Sequence, residues 1–161
     1  MSRPFDEARY RALLEGLEAA EITFSALERT LRVDAEFFLP KHLRIAAKLM
    51  CLNTQPITKI ATISDGNHFT ISDEFVEKGV PYYRGQDVVG QAFIEQAAPV
   101  CITEKAFRQP FMTRSHLKRG DVLLSIIGTI GESSLVSDDT PATCSCKLAI
   151  LRPCGIAPEY L

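Results

Sequence analysis

The sequence predicts an α+β protein: N-terminal helices, then a β-rich domain with a mixed, mostly antiparallel sheet. Three observations lead there. Up to residue 53, apolar residues recur at helical spacing, as in Tyr10, Leu13, Leu14, Leu17 and Ala20. After Gln55-Pro56 the texture changes to short strand-like runs separated by Gly, Asn, Asp and Pro. Helices and strands are also segregated along the chain, which disfavours a doubly wound parallel sheet. We therefore divide the chain into a helical N-terminal segment, 1–53, and a β-rich domain, 54–161.

Each element has a local reason. Residues 6–20 read as a first helix, with Asp6 and Glu7 suited to its first turn. Ile22-Thr23-Phe24 reads as a short strand, and Ser25 with Glu28 as a capping box opening a second helix. Arg32 to Phe38 reads as a linker. Pro40 suits the first turn of a third helix through about Leu52, with Leu43, Ala46, Ala47 and Met50 on its apolar face. Strands are expected at Ile57–Ile63, Pro81–Arg84, Pro99–Ile102, Asp121–Ile127, Ser134–Val136 and Leu148–Leu151. Thr103 to Phe107 reads as one helical turn. Ala157 to Leu161 reads as the start of a helix with Pro in its first turn, so the second domain is expected to be cut short at its C-terminus.

Composition narrows the function. With 46% hydrophobic and 24% charged residues, the chain can bury an ordinary core. No apolar run approaches the roughly 18 residues of a membrane helix. The N-terminus lacks an apolar signal region, so a cytoplasmic location is expected. The five cysteines have no framework spacing and read as reduced thiols. Cys144-Ser145-Cys146 offers too few ligands for zinc, and alternation along a strand would put both thiols on one face. No metal or cofactor is expected.

Signs of catalysis are absent. The histidines, His42, His68 and His116, lack a partner pattern. There is no Gly-x-Ser-x-Gly elbow, no phosphate loop and no His-Glu-x-x-His. Asp73-Glu74 and Asp138-Asp139 look like turn or cap residues. A thiol or metal enzyme using the cysteines is the weakest reading.

A net charge of −2 excludes a uniformly basic nucleic-acid binder. Local charge differs: Lys105, Arg108, Arg114, Lys118 and Arg119 lie within one acid-free stretch that also contains His116. Phosphate contact needs a basic face, not a basic protein, although such a stretch is also compatible with a solvated loop.

Gly120 to Gly131 is the most informative run. An apolar strand leads into Gly128-Thr129-Ile130-Gly131, where bare backbone and the Thr129 hydroxyl allow a partner to approach; alternatively the glycines only permit a bend. Arg84 and Gln86 flank Gly85, and their side chains suit guanine and adenine edges. The alternative is that Arg84 pairs with Asp87 and fixes the turn. Asn67, His68 and Thr70 follow the Asp65-Gly66 turn and offer short polar groups, or else simply shape that loop.

Several blocks in fixed order resemble the target recognition domain of specificity (S) subunits in type I restriction-modification systems. They are Ile63 to His68, Gly79 to Asp87, Lys118 to Gly131, Ala142 to Pro153 and Pro158 to Leu161, with Arg32 to Phe38 as an entry segment. Each block alone is weakly specific. The resemblance implies a non-catalytic DNA reader: such subunits carry two recognition domains, each reading half of a split site. Long helices separate the domains and dock the methyltransferase subunits, and methylation and cleavage belong to the partners. The implied partners are therefore double-stranded DNA and the methyltransferase and restriction subunits. The resemblance alone puts Lys147 in the same cleft. The chain departs from the pattern in holding at most one recognition domain and in stopping where the closing helices should begin. A protein-interaction or assembly module, docking partners through the N-terminal helices, is the alternative.

Overall fold

The computed structural model describes residues 4–161, which fall into two compact units, one ending at Gln55 and the other spanning Pro56–Leu161. Among the described residues no helix is long and apolar enough to cross a membrane.

The first unit holds three short helices, α1 (Glu7–Leu14), α2 (Phe24–Thr30) and α3 (Pro40–Met50). Asp6 caps α1, accepting from the Arg9 backbone N–H at 3.0 Å. The expected helix over 6–20 ends early because Gly16 adopts a left-handed φ of +79° just past Glu15. The expected strand at Ile22–Phe24 is not formed. Thr23 instead caps α2, accepting from the Ala26 N–H, so the cap lies two residues before the expected Ser25. Pro40 occupies the first turn of α3, as expected, and the helix stops at Met50 rather than Leu52. None of the three helices buries a residue; Met50 is 73% exposed and Leu43 half-buried. The apolar residues of these helices are largely uncovered within this unit, and with α1 ending at Leu14 the stripe expected through Leu17 and Ala20 is not formed.

The second unit is built on two four-stranded sheets. The first has the order β1 (Ala61–Asp65), β8 (Leu148–Pro153), β5 (Val122–Ser125), β6 (Ser133–Leu135), all antiparallel. The second has the order β2 (Phe75–Val76), β4 (Val100–Ile102), β3 (Val80–Tyr83), β7 (Thr143–Cys144), with β3 and β7 parallel. The architecture is α+β with a mostly antiparallel β-rich part. The strand expected over Ile57–Ile63 begins later: Ile57–Lys59 forms a 3-10 turn, and pairing with β8 starts at Ala61. β5 ends at Ser125, two residues before the expected Ile127. The C-terminal Pro158–Tyr160 makes one 3-10 turn. The two-residue strands β2 and β7 were not expected.

Alternation along β3 divides the core. Tyr83 joins Val88, Leu123, Cys144, Leu148 and Ile150 in one cluster, while Val80 and Tyr82 point the other way, toward Ile102 and Met112. Helix α4 (Glu104–Phe107) covers this second cluster through Ala106, and Thr103 caps it at 3.1 Å. Burial pushes the Cys144 thiol far up, so it stays protonated and inert, whereas Cys146 is only half-buried. The expectation that both thiols share a strand face fails because β7 ends at Cys144.

One charge-assisted contact locks the first sheet. Asp121, 1% exposed, receives Arg152 Nε on Oδ1 and Nη2 on Oδ2, both at 2.7 Å, and the Lys118 N–H on Oδ2 at 2.9 Å. The fork joins the start of β5 to β8. Hydrogen bonding to Asp121 raises the Arg152 pKa further, against some desolvation. Arg152 keeps 39% of its side chain in solvent, so losing its partner strands a charge that still reaches water. Asp121→Ala is therefore expected to lower stability by about 2–3 kcal/mol, below the usual cost of breaking a fully buried pair, as read by urea unfolding. A loss under about 0.5 kcal/mol, the level of ordinary surface substitutions, contradicts the role given to this fork.

Candidate nucleic-acid interface

Three loops meet at one end of the first sheet, where β1 and β5 finish and β8 begins. The strand register fixes this: Asp65 lies opposite Ala149, and Ser125 opposite Leu148. The segment leaving β7 for β8 is hydrogen-bonded to its neighbours on several sides. Ser145 N–H donates to Tyr83 O at 2.9 Å, Cys146 N–H to Asn67 O at 2.9 Å, and Ile126 N–H to Lys147 O at 3.0 Å.

These contacts surround an open cavity of about 380 Å³. Arg84, Gly85 and Gln86 form one wall, Ile127, Gly128 and Thr129 another, and Ser145 and Lys147 a third, beside Tyr82. Four residues proposed from the sequence, Arg84, Gln86, Thr129 and Lys147, thus line one cavity from three separate segments.

Their chemical states differ. Arg84 is tied to its own turn: its backbone N–H donates to Asp87 Oδ2 at 2.7 Å and its Nε to the same oxygen at 3.3 Å. The turn-fixing alternative is therefore realised, although 35% of the Arg84 side chain stays exposed in the cavity wall. Gln86 and Lys147 are exposed, and among the described residues Lys147 makes no ion pair. Thr129 Oγ1 lies 3.0 Å from Ser125 Oγ and donates to Gly85 O at 3.3 Å, so its hydroxyl ties two walls of the cavity together. Gly128 and Gly131 have φ of +86° and +94°, which gives the bend that alternative described; nothing crowds either α-carbon.

The loop after β1 abuts the cavity. A Cβ on Gly66 would lie 2.2 Å from Ser145 O, so only glycine fits against that carbonyl. Asn67 is 2% exposed; its amide donates to Phe69 O at 2.8 Å and its Oδ1 accepts the Phe69 N–H at 3.0 Å. Asn67 is thus committed to shaping the loop, leaving no free polar edge for a base. His68 and Thr70 are exposed. His68 Nε2 pairs with Asp65, and Arg114 reaches Asp65 Oδ1 at 2.9 Å. The hydrogen bond from His68 and the charge of Arg114 hold the Asp65 carboxyl below its ordinary pKa.

The basic stretch is divided among several elements. The 3-10 turn Pro110–Ser115 brings Arg114 to the cavity end. Lys118 and Arg119 precede β5, and the cavity lies past its other end. Lys105 and Arg108 sit on α4, which covers the second cluster, and Arg108 pairs with Glu104 at 3.1 Å. His116 stacks on Phe107 at 3.9 Å and donates Nε2 to its carbonyl.

Sequence reasoning missed Ser145, Tyr82 and Ile127. Ser145 was overlooked because the Cys144–Cys146 stretch drew attention only to its thiols. Burial, the main cause, raises the Tyr82 pKa and keeps the phenol protonated. Among the described residues no group of three or more His, Cys, Asp or Glu could hold a metal.

No family model matches the sequence, and no curated protein matches it. Among solved structures, the HsdS subunit from Thermoanaerobacter tengcongensis is 18% identical with a TM-score of 0.49; the match covers 66% of this chain and 24% of that one. A chain from a structure of complex assembly and conformational transition of the type I R-M system is 18% identical with a TM-score of 0.49, over 94% of this chain and 39% of that one. The type I restriction-modification S subunit from M. genitalium is 11% identical with a TM-score of 0.39, over 62% and 21%. The chain thus spans between a fifth and two-fifths of the length of the structures it resembles.

Two outcomes test this end of the sheet. Asp65 has a depressed folded pKa, so its contribution is present above the ordinary value of 3.8 and disappears as pH falls through the folded value. The stability gap between wild type and Asp65→Asn is therefore expected to close as pH drops below 3.8, read by denaturant melts in acid; a constant gap contradicts it. Gly66→Ala must push two backbones apart and is expected to lower stability by about 2 kcal/mol or more, whereas an unchanged thermal midpoint rules out the close approach.

Proposed function

We propose that this chain is a non-catalytic, sequence-specific DNA-recognition module of a restriction-modification specificity subunit, reading one half of a split target. Its partners are then double-stranded DNA and the methyltransferase and restriction subunits, in the cytoplasm. The observation that supports this reading most is the convergence of Arg84, Gln86, Thr129 and Lys147 on one open cavity. A reader needs cations for phosphates and bidentate groups for base edges, and both kinds occur on that rim. The ordered blocks that resemble recognition domains include all four of these residues. Gln86 is the strongest candidate for a base edge, because it is exposed and Arg84 is partly committed to Asp87.

A second reading has its own support. The first unit leaves Leu13, Leu17, Phe24, Ile45, Leu49 and Met50 between 49% and 73% exposed. Helices of 8, 7 and 11 residues are short enough to depend on packing. This favours a partner-docking role for that unit, alongside DNA reading by the other.

Selection from a random duplex pool tests the proposal. Enrichment of a short motif is expected, and Gln86→Ala should relax preference at one position by about 1–3 kcal/mol, the worth of a bidentate base contact. A folded sample that retains no duplex even at low salt refutes DNA reading by this chain.

A further inference from the structure

Ser145 stands out chemically. Its Oγ is the one buried side-chain polar atom without a hydrogen-bond partner among the described residues. Ser145 itself is 9% exposed and lines the cavity between β7 and β8. An unpaired buried hydroxyl is destabilising, and native proteins keep few of them. The adjacent Ser115 and Thr143 show the usual solution: both are fully buried, and their hydroxyls meet at 2.7 Å.

The groups around Ser145 indicate what would satisfy it. Lys147 offers only donors and has no ion pair among the described residues. Arg84 has its Nε on Asp87, so its outer guanidinium nitrogens remain as donors. Thr129 already donates to Gly85 O. The cavity therefore has an excess of donors and carries positive charge, and its complement is an acceptor-rich anion. Ile127, 52% exposed in the same wall, supplies apolar surface for a sugar.

We propose that the cavity holds one backbone phosphodiester, with Ser145 Oγ donating to a phosphate oxygen and Lys147 and Arg84 neutralising it. This deepens the DNA-recognition reading and rests on it: Ser145 and Lys147 fix the register on the duplex, while Gln86 reads a base. Ser145 Oγ is shielded in the free protein, so its contact with the phosphate requires rotation about χ1.

The test compares wild type, Ser145→Ala and Lys147→Gln. Since the Ser145 hydroxyl has no partner in the free protein, its removal is expected to leave the thermal midpoint unchanged or raised. Affinity for duplex is expected to fall about tenfold on every sequence, the worth of one hydrogen bond to a charged group. Lys147→Gln is expected to weaken binding equally on all sequences and to reduce the salt dependence by about one phosphate contact. Titration with dimethyl phosphate is expected to shift the amide signals of Ser145, Lys147 and Gly128 in wild type, and those of Lys147 and Gly128 only at about tenfold higher concentration in Ser145→Ala.

Motif-selective binding that Ser145→Ala leaves intact overturns the phosphate site and spares the DNA-reading proposal. A loss confined to duplexes with guanine at one position overturns it too, and makes the cavity a base-edge site. If wild type ignores duplex but responds to dimethyl phosphate, the DNA reading fails while the anion site stands. No response to either overturns both.

Discussion

The geometry of the second unit depends on one short crossing. β7 pairs with β3 in one sheet and β8 with β1 and β5 in the other, and only Ser145 to Lys147 separate them. At about 3.5 Å per residue, the chain from Cys144 to Leu148 spans at most about 14 Å, so the two sheets are held close at that end. Peptide groups in the crossing need partners, and Tyr83, Asn67, Ile126 and Leu148 pair with four of them. Gly66 follows from the same closeness, since its α-carbon lies directly against Ser145 O. Backbone pairing anchors the crossing but does not fill the space beside it, and the cavity is what remains.

Charge at that cavity is finely divided. Arg84 and Arg114 each face a carboxylate, Asp87 and Asp65. These pairs orient the guanidinium groups and offset part of their charge. Lys147 has no such partner among the described residues, so the local field is set mainly by one ammonium. Side-chain placement therefore matters more here than total charge, in keeping with a molecule whose formal net charge is −2.

Legibility in the sequence followed how local each cause was. Pro40 at the start of α3 and Thr103 at the start of α4 act within one turn, and both were readable. The pairing of β7 with β3 joins residues some sixty positions apart, so Thr143-Cys144 carries no local sign of it. Ile126 and Ile127 read as strand because they are apolar, yet they are 40% and 52% exposed on a loop. Hydrophobicity could not tell a loop tip from a core strand. Arg84, Gln86 and Thr129 were readable as candidates beside turns because Gly85, Gly128 and Gly131 punctuate the sequence. Ser145 was not, because an unpaired hydroxyl arises from packing. The dispersal of the basic stretch was not legible for a related reason: the turn at Pro110–Ser115 places neighbouring cations on different elements of the fold.

The split of the basic stretch bears on how such a module would use DNA. Binding that neutralises several phosphates changes by thousands-fold between low and moderate salt; with about two contacts the change is only about tenfold. If DNA is held at this cavity alone, Lys147 and two partly offset arginines put binding in the second regime. Electrostatics would then contribute little affinity that is independent of sequence, and discrimination would rest on contacts such as the one proposed for Gln86. Weak binding by one module is tolerable when a second is linked to it, because the second contact becomes intramolecular. A half-site reader that bound tightly alone would hold DNA matching only half of the target. A sparse cationic rim therefore suits a module that reads half of a split site, and a strongly basic one would work against it.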